Sequence, residues 1–185
     1  MTTVKPWQPG YISRPLPTIL GRYSLVSNWD ALIFRQIDIS LSDQLIDNLS
    51  EDYIAYLSSF NYVFDSTYDV LDYLNAKYEL HIITNGFEEV QFKKLKNSGI
   101  LHYFSTVTTS EGLGLKKPNP LMFMAALDKA NASAKHSIMI GDSFEADILG
   151  AKNIGMETIF YNYRNEKIPD EFKIINALSE IKSYL

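Results

Sequence analysis

Ser137-Ile138-Met139-Ile140-Gly141-Asp142-Ser143-Phe144-Glu145-Ala146-Asp147 reads as a short apolar strand that stops at a glycine and passes into a helix. A continuous apolar run bounded by small and polar residues suits a strand buried on both faces. Open α/β sheets bind their ligands just outside the carboxyl ends of such strands. Asp142 and Asp147 fall at that handover. A carboxylate pair there suits a hard cation such as Mg²⁺, which takes oxygen ligands and is commonly shared with a phosphate. The same pair also fits a plain helix start, with Asp142 as N-cap and Asp147 in the first turn.

Outward from this stretch the chain alternates strands and helices. Upstream, Leu80-His81-Ile82-Ile83-Thr84 reads as a strand closed by Asn85-Gly86. A helix follows over 88–98, with Val90, Phe92 and Leu95, and Gly99 ends it. Residues 104–108 form a short β-branched strand, and 110–117 a polar loop with glycines. Pro118 lies at or just before the start of the next helix, which runs to about 130. Downstream, 145–153 is a helix, 158–161 a last strand, and 171–184 a closing helix. Residues 66–77 form a helix with Val70, Leu71 and Leu74 on one face. The alternation from Leu80 onward implies a parallel sheet with helices on both faces.

Before residue 64 the pattern is less regular. Residues 41–60 read as a helix, with Ser42 as N-cap and Leu45, Ile46, Leu49, Tyr53, Ile54 and Leu57 at helical spacing. Residues 22–40 hold two short apolar runs, each compatible with a strand or part of a helix. Residues 1–21 carry Pro6, Pro9, Pro15 and Pro17 with Gly10 and Gly21. Proline removes a backbone donor and fixes φ, so an irregular arm is expected there. The expected organisation is thus an arm over 1–21, a divergent segment over 22–63 and a core domain over 64–185.

The chain has 185 residues, 46% hydrophobic and 21% charged, with a net charge of -5. That length supports one domain with a proper core. The mild acidity argues against a nucleic-acid backbone partner, which would favour a basic face. A phosphorylated small molecule is still compatible, because a local site can oppose the global charge. There are no cysteines, so disulfides, thiolate metal sites and cysteine nucleophiles are excluded. No apolar run is long enough to cross a bilayer, and the N-terminus lacks a signal-peptide core. Cytoplasm is the expected location.

Three strand ends carry polar groups. Thr84, Asn85 and Gly86 follow one strand, Lys117 lies in the loop after the next, and Asp142 and Asp147 follow the third. In a parallel sheet all three loops open on one edge. The Thr84 hydroxyl and the nearby N–H groups of Asn85 and Gly86 would bind phosphoryl oxygens. Lys117 would offset developing charge, and a metal would bridge carboxylate and phosphate. Each residue also has an ordinary explanation: Thr84 as a helix cap, Lys117 as a solvated loop cation, Asn85-Gly86 as a turn. His81, His102 and His136 lack ligand-like spacing; His81 is expected to face a helix, the other two the surface.

Ile82-Ile83-Thr84-Asn85-Gly86, Gly114-Leu115-Lys116-Lys117-Pro118-Asn119-Pro120 and Ile140-Gly141-Asp142 to Asp147 resemble motifs two, three and four of the haloacid dehalogenase-like hydrolases. Phe87-Glu88-Glu89-Val90-Gln91 and Ala146-Asp147-Ile148-Leu149-Gly150-Ala151 are similar to the pyrimidine 5′-nucleotidase (YjjG-like) subgroup. The resemblance covers about 48–160. It implies a Rossmann-like three-layer α/β/α core with a reduced or absent helical cap. It also implies an Mg²⁺-dependent phosphatase acting on a small phosphorylated metabolite, a nucleoside monophosphate being one candidate. By the resemblance, Thr84 binds a phosphoryl oxygen and Lys117 holds nucleophile and phosphate together. Asp142 ligates Mg²⁺, and Asp147 ligates it or orients its waters.

That family attacks phosphorus with the first Asp of an Asp-x-Asp-x-Thr motif; the second Asp is the general acid and base. No such motif occurs in this sequence. In the nearest register, Ala31-Leu32-Ile33-Phe34-Arg35-Gln36-Ile37-Asp38, Arg35 replaces the nucleophile and Ile37 the acid/base. An arginine stays protonated and cannot attack. Phe64-Asp65-Ser66-Thr67 precedes a helix, and Asp65 is expected to be its N-cap. Residues 28–40 also read as a remnant of a helical cap. The missing motif strand is central in the family's sheet. Its place is expected to be taken from residues 22–38, with 23–26, 31–37 or another chain as the candidates. Weak or absent turnover follows as an expectation. The alternatives are a non-catalytic phosphate-binding or regulatory module, and an enzyme with an unrecognised acidic nucleophile. An exposed strand edge would favour self-association.

Overall fold

The structure is a computed structural model that describes residues 42–59 and 61–185. Helix α1 (Asp43–Ser59) and residues 61–185 belong to separate compact units. Ser42 starts α1 as expected: the Leu45 N–H donates to the Ser42 carbonyl at 3.0 Å and to its hydroxyl at 3.3 Å. Leu45, Leu49, Tyr53 and Tyr56 are exposed along this helix. The Arg35 register and the substitute strand expected from 22–38 lie outside the described residues.

The other unit runs α2 (Thr67–Asn75), β1 (Leu80–Thr84), α3 (Glu88–Asn97), β2 (Phe104–Thr109), α4 (Ser110–Leu113), α5 (Pro120–Lys129) and β3 (Ile138–Gly141). A π-helical turn (Phe144–Leu149) then leads into α6 (Gly150–Lys152), followed by β4 (Glu157–Tyr161), β5 (Lys173–Ile175) and a 3-10 turn (Leu178–Ser183). Strand β1 pairs with β2, and β3 with β4 and β4 with β5, all in parallel. Among the described residues these make two sheets, with no ladder between β1 and β3.

Consecutive strand residues point to opposite faces, and here both faces are covered. Ile82 and Ile140 join Val70, Leu71, Leu74, Leu95 and Ile181 in one core cluster. Their neighbours Ile83 and Met139 join Met122, Phe123 and Ala151 in a second, on the α5 side. The result is a three-layer α/β/α arrangement in which both sheets contribute to both cores.

Several local expectations are corrected. The closing stretch 171–184 is not one helix: Lys173–Ile175 adds a strand beyond β4, held partly by the Asn162 N–H on the Ile175 carbonyl at 2.8 Å. The N-cap of α2 is Ser66, in the left-handed region at φ 63°, and not Asp65. As expected, Pro118 lies just before the next helix, which begins at Pro120 with the Asn119 side chain accepting the Leu121 N–H at 3.0 Å. The Lys117–Pro118 peptide bond is cis. His81 meets a neighbouring strand, with Nδ1 2.9 Å from Thr106 Oγ1. His102 and His136 are exposed, as expected.

Candidate active site

The end of β1 supplies the first groups. Thr84 is buried, and its Oγ1 accepts the Gly86 N–H at 3.1 Å. Accepting here uses a lone pair of the hydroxyl and leaves its one proton available to donate. Thr84 does not cap α3, whose N-cap is Phe87. Asn85 grips the backbone of Lys117 from both sides: its Oδ1 accepts the Lys117 N–H at 2.7 Å, and its Nδ2 donates to the Lys117 carbonyl at 3.0 Å. The Asn85 carbonyl in turn accepts from the Ser110 hydroxyl at 3.0 Å.

This grip turns Lys117 inward. Its side chain is 1% exposed, far from the solvated cation that a lysine before a proline usually is. Nζ donates to the Ile83 carbonyl at 2.9 Å and lies 2.5 Å from Asp147 Oδ1. The second contact is a buried ion pair. Asp147 is 0% exposed, and its other oxygen accepts the Ser143 N–H at 3.2 Å. The π-helical turn aims it there: both the Asp147 and Ile148 N–H groups reach the Ser143 carbonyl, at 2.9 and 3.3 Å. Such wide turns recur at functional sites. Gly141 leaves the space, since a Cβ on it would lie 2.5 Å from Asp147 Oδ2.

Asp142 follows β3 directly and is buried. It is not the helix cap; Ser143 is, its hydroxyl accepting the Ala146 N–H at 3.3 Å. Asp142 Oδ2 faces Arg164 Nη2 at 3.3 Å. Arg164 follows β4 and was not singled out in the sequence. It belongs to no motif, and its only signal is its position just past the carboxyl end of a parallel strand. Beside it, Phe64, Tyr161 and Tyr163 form a ring cluster with centroids 5.1–5.4 Å apart. Burial first, then Tyr163, pushes the Tyr161 phenol above its ordinary value.

The contacts therefore link Ile83, Asn85, Lys117, Asp147, Ser143 and Gly141 across the ends of β1 and β3, with Thr84 and Asp142 next in sequence to linked residues. The profile of the haloacid dehalogenase-like hydrolases matches residues 23–161. The chain belongs to that family. Among its relatives, the pyrimidine 5′-nucleotidase PynA of Streptococcus pneumoniae is 37% identical over 116 residues, 62% of this chain and 49% of PynA. A glyceraldehyde 3-phosphate phosphatase of Methanothermobacter thermautotrophicus is 34% identical over 129 residues, 65% of this chain and 57% of the relative. The HAD-hydrolase YfnB of Bacillus subtilis, whose crystal structure is bound to magnesium, superposes with a TM-score of 0.75 at 27% identity, covering 90% of this chain and 73% of YfnB. The chain spans about half the length of the curated relatives it matches.

Among the described residues, Asp142 is the candidate oxygen donor for a cation. No three acidic or histidine side chains cluster as a ready cage among the described residues. Mg²⁺ does not require one, since it keeps several waters and is held by one or two carboxylates plus substrate phosphate. Asp142, a hard oxygen donor at a strand's carboxyl end, fits that chemistry. Asp147 has one oxygen on Lys117 and the other on the Ser143 N–H. No helix among the described residues is long and apolar enough to cross a membrane.

Proposed function

We propose that this chain is a phosphomonoester-binding domain of phosphatase ancestry that works with Mg²⁺ at Asp142. Its substrate class is a small phosphorylated metabolite, a nucleoside monophosphate or a sugar phosphate. The observation that carries this reading is Lys117, an ammonium drawn out of water and fixed between the Ile83 carbonyl and Asp147. A buried cation is costly unless it is paired and hydrogen-bonded, and these two partners hold the ammonium in one fixed place. Relatives named as phosphatases of a nucleotide and of a triose phosphate support a phosphate ester as the ligand.

In this reading Thr84 donates its hydroxyl proton to a phosphoryl oxygen, and the Asn85 and Gly86 backbone lies beside it. Lys117 neutralises phosphate charge, held in place by Asp147 and by the grip of Asn85. Asp142 holds the cation, which supplies further charge neutralisation at the phosphate. A preorganised ammonium of this kind favours charge that develops in transfer, because it need not reorient.

Turnover is a separate matter. The sequence contains no Asp-x-Asp, and this favours a second reading in which the domain binds phosphate esters without hydrolysing them. A phosphate-release assay with Mg²⁺, nucleoside monophosphates and glyceraldehyde 3-phosphate separates the two. Little or no release, together with ligand-dependent thermal stabilisation, is the expected result. Turnover abolished by Asp142→Ala would establish an enzyme with an attacking group elsewhere. Neither turnover nor stabilisation would end the phosphate reading.

A further inference from the structure

Arg164 has no part in the motifs, yet it holds the proposed cation ligand. Its Nη2 lies 3.3 Å from Asp142 Oδ2, with the arginine side chain 45% exposed and the aspartate side chain 5% exposed. The guanidinium thus sits at the mouth of the site, while the carboxylate it neutralises sits inside. Three further contacts fix it there. Nε donates to the Tyr163 hydroxyl at 2.8 Å, Cζ lies 4.8 Å from the Tyr163 ring centroid, and Nη1 lies 3.8 Å from Glu166 Oε1.

A guanidinium does not lose its proton, so its charge leaves Asp142 only when the side chain itself moves away. Its hold on Asp142 is a single long contact and lacks the two-pronged geometry that makes arginine–carboxylate pairs strong. Tyr163 and Glu166 would retain the arginine at the rim after such an exchange. We propose that Arg164 is a counter-cation of Asp142 in the ligand-free protein, that a divalent cation displaces it, and that the displaced guanidinium then becomes an outer contact for the substrate phosphate. This rests on the assignment of Asp142 as cation ligand.

Displacement and anion contact predict opposite effects of one substitution. Titration calorimetry of the full chain with magnesium chloride alone measures the first. Arg164→Gln removes the competitor, so half-saturation falls about two- to fivefold, the range expected for a partly exposed ion pair. Titration with inorganic phosphate at saturating Mg²⁺ measures the second, and there Arg164→Gln weakens binding several-fold. Arg164→Lys retains the charge and lies between wild type and Arg164→Gln in both. Unchanged or weaker Mg²⁺ binding in Arg164→Gln overturns displacement, and unchanged phosphate binding overturns the anion contact. A loss in both titrations would mark Arg164 as merely structural. Asp142→Asn separates the layers. Mg²⁺ binding that survives it removes the cation assignment and this proposal together. Binding lost in Asp142→Asn but not improved in Arg164→Gln removes only the proposal.

Discussion

At the scale of single residues, the Lys117–Asp147 pair dominates, because both side chains are sealed from water at 1% and 0% exposure. Removing one member leaves an uncompensated buried charge, which costs about 3–5 kcal/mol. Asp147→Ala is therefore expected to lower the urea midpoint steeply. The double variant Lys117→Met/Asp147→Leu, which leaves no charge, is expected to recover much of that loss while binding no phosphate. If the double variant is as unstable as the sum of the singles, the pair is not coupled. Asn85 acts through the same lysine. Asn85→Ala removes both bonds to the Lys117 backbone, a loss of about 1–3 kcal/mol where the backbone groups stay buried. Phosphate affinity should fall with it, since the lysine loses its fixed direction. Asn85→Asp keeps one acceptor for the Lys117 N–H and should bind better than Asn85→Ala.

At the scale of elements, the end of β3 is shaped by one permissive residue. Gly141 closes β3, and any Cβ there would meet Asp147 Cβ and Oδ2 at 2.5 Å, too close for either to remain. Gly141→Ala is expected to cost about 1–3 kcal/mol as overpacking and to displace Asp147 from Lys117, seen as lost phosphate binding. A stable, binding-competent Gly141→Ala would show that the turn after β3 can relax. The β1–β2 pair carries a pH term at His81, whose Nδ1 meets Thr106 Oγ1. Burial pushes the imidazole below its ordinary value of 6.5. The unfolded chain therefore binds the proton first, so this contribution is complete above the unfolded value and declines as pH falls through it toward the folded value. Chemical denaturation at pH 7.5 and 5.0 should show a smaller acid loss in His81→Asn than in wild type. Equal losses would mean His81 is protonated alike in both states. These strands were legible in sequence because Leu80-His81-Ile82-Ile83-Thr84 and Ile138-Met139-Ile140 are continuous apolar runs ending at turn residues. The closing segment was not. Phe172, Ile175, Leu178 and Ile181 recur near a helical period, but Lys173–Ile175 pairs with β4, and that pairing overrides the local pattern. The motif residues were legible by order and spacing. Arg164 was not, since nothing in its neighbourhood separates it from a surface arginine until Asp142 is placed 3.3 Å away.

At the scale of the molecule, two parallel sheets share one pair of cores without a ladder between β1 and β3 among the described residues. Among the described residues they are tied by side-chain packing, Ile82 with Ile140 in one cluster and Ile83 with Met139 in the other, and by Lys117 reaching from the Ile83 carbonyl to Asp147. Packing of this kind is close to all-or-none, since interiors are as dense as organic crystals and tolerate no partial separation. The sheets should therefore unfold together. Met139 is 0% exposed, and Met139→Ala removes atoms from the cluster that also holds Ile83. Its cost should be about 2–5 kcal/mol. The site argument makes a sharper demand: because Lys117 spans both strand ends, that loss has to reach β1 as well as β3. Native-state hydrogen exchange should show Ile82, Ile83 and Ile140 amides losing protection by the same free energy. If β3 and β4 loosen while β1 and β2 keep wild-type protection, the sheets are independent units, and a site drawn across their ends could not be held rigid by either.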